Sequence, residues 1–294
     1  MSADTAALAD IEQHMRRLVA NASFVQRATA RGVDRALRQS LNGPSDAALG
    51  VPLRSLVDGM SLRRVPAAAL ARRLTEQRWA VLDDALPPEL VHAASVEAAS
   101  LLRAGALGGQ PGLERLRQDV YSSLSGAPSL PSLSRLLRRL HGASRRLSRL
   151  GVLGAAPGTL VADPAGGQIA CYTAGSRYAM HVDRASTAAA DAASSLELQN
   201  AARRRATAIV YLRAVDAAEW SPDEAGELRL WPSSATTRSQ ASLLVAGSAI
   251  DVEPLGGRLV LFDSGLTHEV RPWAASAGHA RCALTLWIHD AGGW

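Results

Sequence analysis

The sequence predicts a mostly β fold with flanking helices, a sandwich or jelly roll, and three observations carry that prediction. After residue 160 come short runs rich in β-branched and aromatic residues: "QIACYTAG", "YAMHVD", "RATAIVYLR", "GELRLWP", "GRLVLFDSG", "HEVRPW" and "RCALTLWIHD". Gly, Pro, Ser and Asp separate them and little helical pattern intervenes, so the strands close best as two packed sheets. Before residue 160 the apolar period is that of helices, which places the helices on one side of the β unit in the chain.

Taken in order, Leu8, Ile11, Met15, Leu18 and Val19 follow the i, i+3, i+4, i+7 rule, so residues 5–22 read as an amphipathic helix and a second continues to about residue 40. Asn42-Gly43-Pro44 and Gly50-Val51-Pro52 break the pattern as a linker. Residues 1–55 are therefore expected to form a helical arm. From Val65, "AAALARRLTEQRW" is helical, "AVLDDAL" is a short strand, and "PPELVHAASVEAASLLRAG" opens on proline and closes on glycine as a helix does. "LPSLSRLLRRLHGASRRLSRLG" carries an apolar stripe, Leu133, Leu136, Leu137, Leu140, Leu147 and Leu150, among six arginines from Arg135 to Arg149. It fits a helix packed under a sheet, and also a basic face for an acidic partner over 135–149. Residues 60–160 thus form a helical and strand support, and 161–291 the β core. The stretch 184–206, "RASTAAADAASSLELQNAARRRA" with its flanking residues, reads as one long interruption of the β run, of the kind that is functional or mobile.

Composition narrows the class. With 294 residues and 47% apolar content, the chain can bury a sizeable core. All 32 basic residues are arginine against 27 acids, a net charge of +5. Genome composition accounts for this, and so does an acidic partner, since guanidinium groups grip carboxylates and phosphates through two parallel bonds. No nucleic-acid motif is present. The two cysteines, Cys171 and Cys282, are too few and too far apart for a disulfide framework or a zinc ribbon, which suggests a reducing compartment. No run approaches the ~20 apolar residues of a membrane span, and Asp4, Asp10 and Glu12 argue against a transit peptide. Cytoplasm or nucleus is the expected location.

The chemistry centres on "RYAMHVD". In a strand His181 and Asp183 share a face, side by side, while Val182 points away. Alone, the pair reads as two polar residues on the wet face of a strand. His268, where "RLVLF" turns through "DSGLT" into "HEV", supplies a third donor. Two histidines and a carboxylate leave three positions open on a metal, as in non-haem Fe(II) oxygenases. Arg281 opens the apolar strand "RCALTLW", where alternation sets Arg281, Ala283, Thr285 and Trp287 on one face. A guanidinium there is costly to bury unless an anion meets it.

"ACYTAGSRYAMHVD", "IVYL", "GELRLWP", "RLVLFDSGLTHEVRPW" and "RCALTLWIHD", in this order, resemble the catalytic core of the 2-oxoglutarate and Fe(II)-dependent prolyl 4-hydroxylases, and most of all the hypoxia-inducible-factor prolyl hydroxylase branch. The resemblance spans about residues 65–291 and is strongest over 168–288. It implies a double-stranded β-helix (jelly-roll) core, with His181, Asp183 and His268 as catalytic iron ligands and Arg281 as the partner of the distal carboxylate of 2-oxoglutarate. It sets Tyr211 on that same carboxylate, Tyr172 along the co-substrate pocket, and Tyr178 and Trp287 on further pocket positions. "RQDV", 117–120, resembles an Arg-Gly-Asp segment that would put Asp119 behind the site or at the substrate rim, with Tyr178 at the rim as well. The implied reaction hydroxylates a prolyl residue of a protein, releases succinate and CO₂, and uses L-ascorbate to keep iron reduced. Collagen-type relatives carry lysine where this chain has Arg281. The stretch after Asp183 is longer and richer in Ala and Ser than the family pattern, which leaves the substrate open: another residue type, a ribosomal protein, or no substrate at all in a sensor or scaffold. His14, His92, His141, His279 and His289 read as surface or locally satisfied residues.

Overall fold

A computed structural model of the chain describes residues 67–83, 85–109, 114–124, 130–186, 196–212, 220–232, 249–274 and 279–291. The helical arm expected over 1–55 lies outside them. Among the described residues the order is α1 (Ala67–Gln77), β1 (Trp79–Leu82), α2 (Pro88–Arg103), β2 (Val120–Leu124), α3 (Pro131–Leu150), β3 (Leu160–Tyr172), β4 (Tyr178–His181), α4 (Leu196–Arg203), β5 (Arg204–Leu212), β6 (Leu228–Trp231), β7 (Ile250–Val252), β8 (Leu259–Asp263), β9 (Thr267–Val270) and β10 (Arg281–Asp290). A six-stranded sheet runs β1-β8-β5-β10-β3-β2 and a four-stranded sheet runs β4-β9-β6-β7. Every pairing is antiparallel. The fold is the jelly roll the sequence predicts, with flanking helices.

Strand alternation divides the core. On β10, Cys282, Leu284, Leu286 and Ile288 face a layer completed by Leu74 of α1, Leu101 of α2 and Leu133, Leu136, Leu140 and Leu147 of α3. Ala283 faces the other way, into the space between the sheets, with Tyr172, Tyr211, Leu228, Leu230 and Phe262. The apolar stripe of α3 therefore packs under the large sheet, and its arginines 138, 145 and 149 are exposed. Its first turn lacks a side-chain cap of its own. Glu97 of α2 replaces it, accepting the amides of Ser132 and Leu133 at 2.8 Å each.

Three details depart from the sequence expectations. The interval 184–206 holds α4, and β5 already begins at Arg204, so it is only in part an interruption. Strands β2 and β7 were not foreseen: "VYSSL" is too polar and "IDV" too short to stand out, and pairing with β3 and β6 creates them. Cys171 and Cys282, directly opposite each other on β3 and β10, form a disulfide rather than staying reduced. No described helix is long and apolar enough to cross a membrane.

Candidate active site

The site lies between the sheets, where β4 and β9 pair. Their register sets His181 opposite His268. Asp183 follows as β4 ends, and its amide and that of Arg184 both donate to the carbonyl of Ser264, in the turn between β8 and β9, at 3.0 and 2.9 Å. One carbonyl thus ties the two segments that carry the three side chains. Asp263 reinforces the tie: its carboxylate accepts Arg78 at 2.7 Å, the Gly265 amide at 2.8 Å and the guanidinium of Arg184. Arg184 also donates to the carbonyls of Arg204 and Arg205 at the start of β5.

His181, Asp183 and His268 are all buried, and one ligand atom from each lies within 4.8 Å of the others. The Nε2 atoms of His181 and His268 stand 3.6 and 3.7 Å from the Asp183 carboxylate oxygens. Each imidazole is oriented from behind by a carbonyl two residues earlier: Nδ1 of His181 on Ala179 at 2.8 Å, Nδ1 of His268 on Leu266 at 3.0 Å. An Nδ1–H so committed leaves Nε2 as a lone-pair donor toward the cluster, which is the form a metal needs. Burial, with His181 alongside, pushes His268 down to about 4, Asp183 opposing. His268 is therefore neutral at neutral pH. Burial alone would raise the Asp183 carboxyl, yet His268, His181 and Arg204 hold it well below the usual carboxylate range. Two imidazole nitrogens and an ionised carboxylate make a donor set that suits a divalent transition ion.

Further in, the site wants an anion. Arg281 is buried at the start of β10, opposite Tyr172 on β3, and its guanidinium carbon lies 4.9 Å from the rings of both Tyr172 and Tyr211. Arg281 Nε and the Tyr211 hydroxyl are buried with no hydrogen-bond partner. Burial raises the phenols of Tyr211 and Tyr172 above their ordinary range against the pull of Arg281, so both stay neutral donors. Unmet donors at a buried cation are what the distal carboxylate of a dicarboxylic co-substrate would satisfy. The space is shaped by Gly226, at φ +71°, where a Cβ would sit 2.4 Å from Trp273 and 3.3 Å from Arg281.

The remaining sequence candidates connect to the cluster through their neighbours. Tyr178 stacks flat on His181, ring centroids 3.7 Å apart. Arg117 lies over the Tyr121 ring at 3.8 Å and the Tyr178 ring at 4.9 Å. Asp119 is not at an open rim: it is buried, and both its oxygens accept Arg117, at 2.7 and 2.8 Å. Arg117 also donates to Gln168, so Asp119 acts through the guanidinium that props Tyr178. Trp287 is half-buried with its indole N–H unpartnered, and Arg204 covers its ring at 4.0 Å.

Sequence reading missed Arg204, whose guanidinium donates to the Asp183 carbonyl at 3.3 Å. It sits in an arginine run that carries no motif. Thr207 was missed too, although it shares a strand face with Ile209 and Tyr211 and is a polar residue among pocket residues. Its hydroxyl donates to Asp183 Oδ2 at 2.7 Å. His289, read as surface or locally satisfied, is buried 3.3 Å from Asp163.

Residues 167–289 match the 2OG-Fe(II) oxygenase superfamily. Among solved structures, a prolyl-4-hydroxylase of Pseudomonas putida aligns at 24% identity over 77% of this chain and 100% of its own, with a TM-score of 0.56. A prolyl hydroxylase of Trichoplax adhaerens, solved with a hypoxia inducible factor oxygen degradation domain peptide fragment, aligns at 20% over 76% of this chain and 89% of its own, TM-score 0.56. A non-heme alpha ketoglutarate dependent carbocyclase, SnoK, from nogalamycin biosynthesis aligns at 16% over 79% and 87%, also at 0.56. At these identities the structures establish a shared fold. The His–Asp–His cluster lies inside the stretch that is similar to the 2OG-Fe(II) oxygenase superfamily.

Proposed function

We propose, from a 2OG-Fe(II) oxygenase domain as premise, that this protein hydroxylates a prolyl residue of a protein or peptide substrate. The observation that carries the oxygenase part is the pairing of a cation-ready cluster with a buried, unsatisfied Arg281 and Tyr211 in the same interior. The prolyl part rests on the motif resemblance and on the fold shared with prolyl hydroxylases. When bound, Fe(II) and 2-oxoglutarate supply the oxidative chemistry: O₂ is consumed, one oxygen atom entering succinate as CO₂ leaves and the other entering a C–H bond of the substrate. L-Ascorbate serves as the reductant that keeps the iron ferrous.

The chain's own residues hold and orient. His181 and His268 present Nε2, and Asp183 a carboxylate oxygen, to the metal. Arg281 holds the far carboxylate of 2-oxoglutarate with its planar fork, Tyr211 donates a hydroxyl to it, and Tyr172 walls the co-substrate in. Tyr178, propped by Arg117 and Asp119, covers His181 and excludes water on that side. Trp287 and Arg204 form the wall beside Asp183, where a peptide would lie. Exclusion of water strengthens each of these polar contacts. The exposed arginines of α3 offer an acidic partner a docking face.

The test is mass spectrometry of proline-containing peptides incubated with protein, Fe(II), 2-oxoglutarate and ascorbate. The expected product gains the mass of one oxygen on a prolyl residue. Oxidation on another residue type would keep the oxygenase and remove the prolyl assignment.

A further inference from the structure

We infer, given the co-substrate reading of Arg281 and Tyr211 above, that the Cys171–Cys282 disulfide fixes the rung on which Arg281 and Tyr172 stand, so that affinity for 2-oxoglutarate follows the redox state of this pair while metal binding does not.

Four strands lie side by side here, in the order β5-β10-β3-β2. At one line across them Leu212, Cys282, Cys171 and Val120 stand next to one another. Leu212 ends β5 and Val120 begins β2. Arg281 and Tyr172 pair one step further out, where among the described residues neither β5 nor β2 supplies a flanking partner. An outermost rung without flanking strands is the first to open, because the least structure must be broken to release it. The disulfide spans the rung just inside. It joins positions 111 residues apart in sequence, so it holds a contact that the chain does not hold locally.

Alternation decides what the bond can influence. Cys171 and Cys282 belong to the layer between the large sheet and the helices, whereas Tyr172 faces the space between the sheets. Arg281 turns that way as well, its guanidinium carbon 4.9 Å from the rings of Tyr172 and Tyr211. The disulfide is therefore on the opposite face and acts on the guanidinium through the backbone. With its Nε bonding nothing, Arg281 takes its position from that backbone. A two-bond grip on a carboxylate tolerates little displacement. The metal cluster is anchored elsewhere: His181 and His268 lie on strands of the small sheet, and Asp183 is tied to the Ser264 carbonyl. Cys171 and Cys282 are thus positioning residues for the co-substrate end alone.

Reduction is the natural way to release the rung. A dithiol supplies two electrons and two protons, the S–S bond breaks to two thiols, and the dithiol becomes a disulfide. Both sulfurs remain and fill nearly the same space, so the helix layer stays packed while the covalent tie is gone. Cys171 is fully buried and Cys282 almost so, and opening of the adjacent outer rung is what admits the reductant.

The test titrates 2-oxoglutarate by calorimetry into the full-length protein loaded with Mn(II), without ascorbate. The protein is taken with its disulfide intact, after reduction by a water-soluble phosphine that is then removed under argon, and after reoxidation. Reduction is expected to weaken 2-oxoglutarate binding about tenfold and to leave Mn(II) affinity within about twofold, and reoxidation to restore the parent value. The double variant Cys171→Ala with Cys282→Ala should bind 2-oxoglutarate as the reduced parent does and ignore the phosphine. If that variant fails to fold for want of the sulfurs, the reduced parent, which keeps them, decides. Equal 2-oxoglutarate affinity in the intact and reduced parent overturns the inference. So does unfolding on reduction or a parallel fall in Mn(II) affinity, either of which would make the bond a staple of the whole fold, and so do two free thiols that no oxidant joins. Intact protein that binds no 2-oxoglutarate, or binds it as well in Arg281→Ala as in the parent, removes the co-substrate reading instead.

Discussion

At one end of the interior, polar atoms come already partnered: His181 and His268 each bond a backbone carbonyl through Nδ1, and Asp183 accepts Thr207. At the other end, Arg281 Nε and the Tyr211 hydroxyl are buried with nothing to bond. Both ends are buried and charged, so the difference lies in what completes them. The first is oriented by the fold before any ligand arrives. The second is left unfinished at a cost of about 1–3 kcal/mol for each unmet polar group, which a bound carboxylate would return. Metal binding should therefore need little rearrangement, and co-substrate binding should visibly stabilise the protein.

The harshest way to break this contrast is at the oriented end. His268→Ala removes one of three donors and should weaken Fe(II) or Mn(II) binding about 100-fold or more, beyond the 10–100-fold expected for merely supporting residues. Calorimetric titration reads it, with turnover lost in parallel. At the unfinished end, Arg281→Lys replaces a fork by a point charge and should raise the 2-oxoglutarate KM about tenfold with metal affinity unchanged. Gly226→Ala attacks the same end indirectly: at φ +71°, with Trp273 2.4 Å and the Arg281 side chain 3.3 Å from the new methyl, the backbone is strained and the tryptophan must shift. It should lower the melting temperature and raise the 2-oxoglutarate KM together. The mildest change sharpens the contrast: Tyr211→Phe removes one unmet donor, so the ligand-free protein should melt no lower than the parent, while the KM rises only about threefold. A fall in melting temperature would mean the hydroxyl is already bonded in the free protein.

How much of this was legible follows the same division. The alternation of "RCALTLW" placed Arg281 and Ala283 on the interior face and Cys282, Leu284 and Leu286 on the helix face, as the packing shows, because strand period is a local property. His181 with Asp183 is a local pair as well, and the motifs brought His268 to it. What stayed hidden depends on who pairs with whom. Arg117 reaches Gln168 only because β2 lies beside β3, and Cys171 meets Cys282 only because β3 and β10 are in that register. Arg204 looked like one of three consecutive arginines until β5 carried it beside Trp287. Thr207 was the nearest miss, since the face it shares with Tyr211 was readable from spacing alone.

The account stands most directly on the link between the two ends. Succinate formed from 2-oxoglutarate by the purified full-length protein should require Fe(II), disappear in His268→Ala, and in Arg281→Lys return toward the parent rate as 2-oxoglutarate is raised. Succinate that forms equally without Fe(II), or that survives His268→Ala, would contradict it.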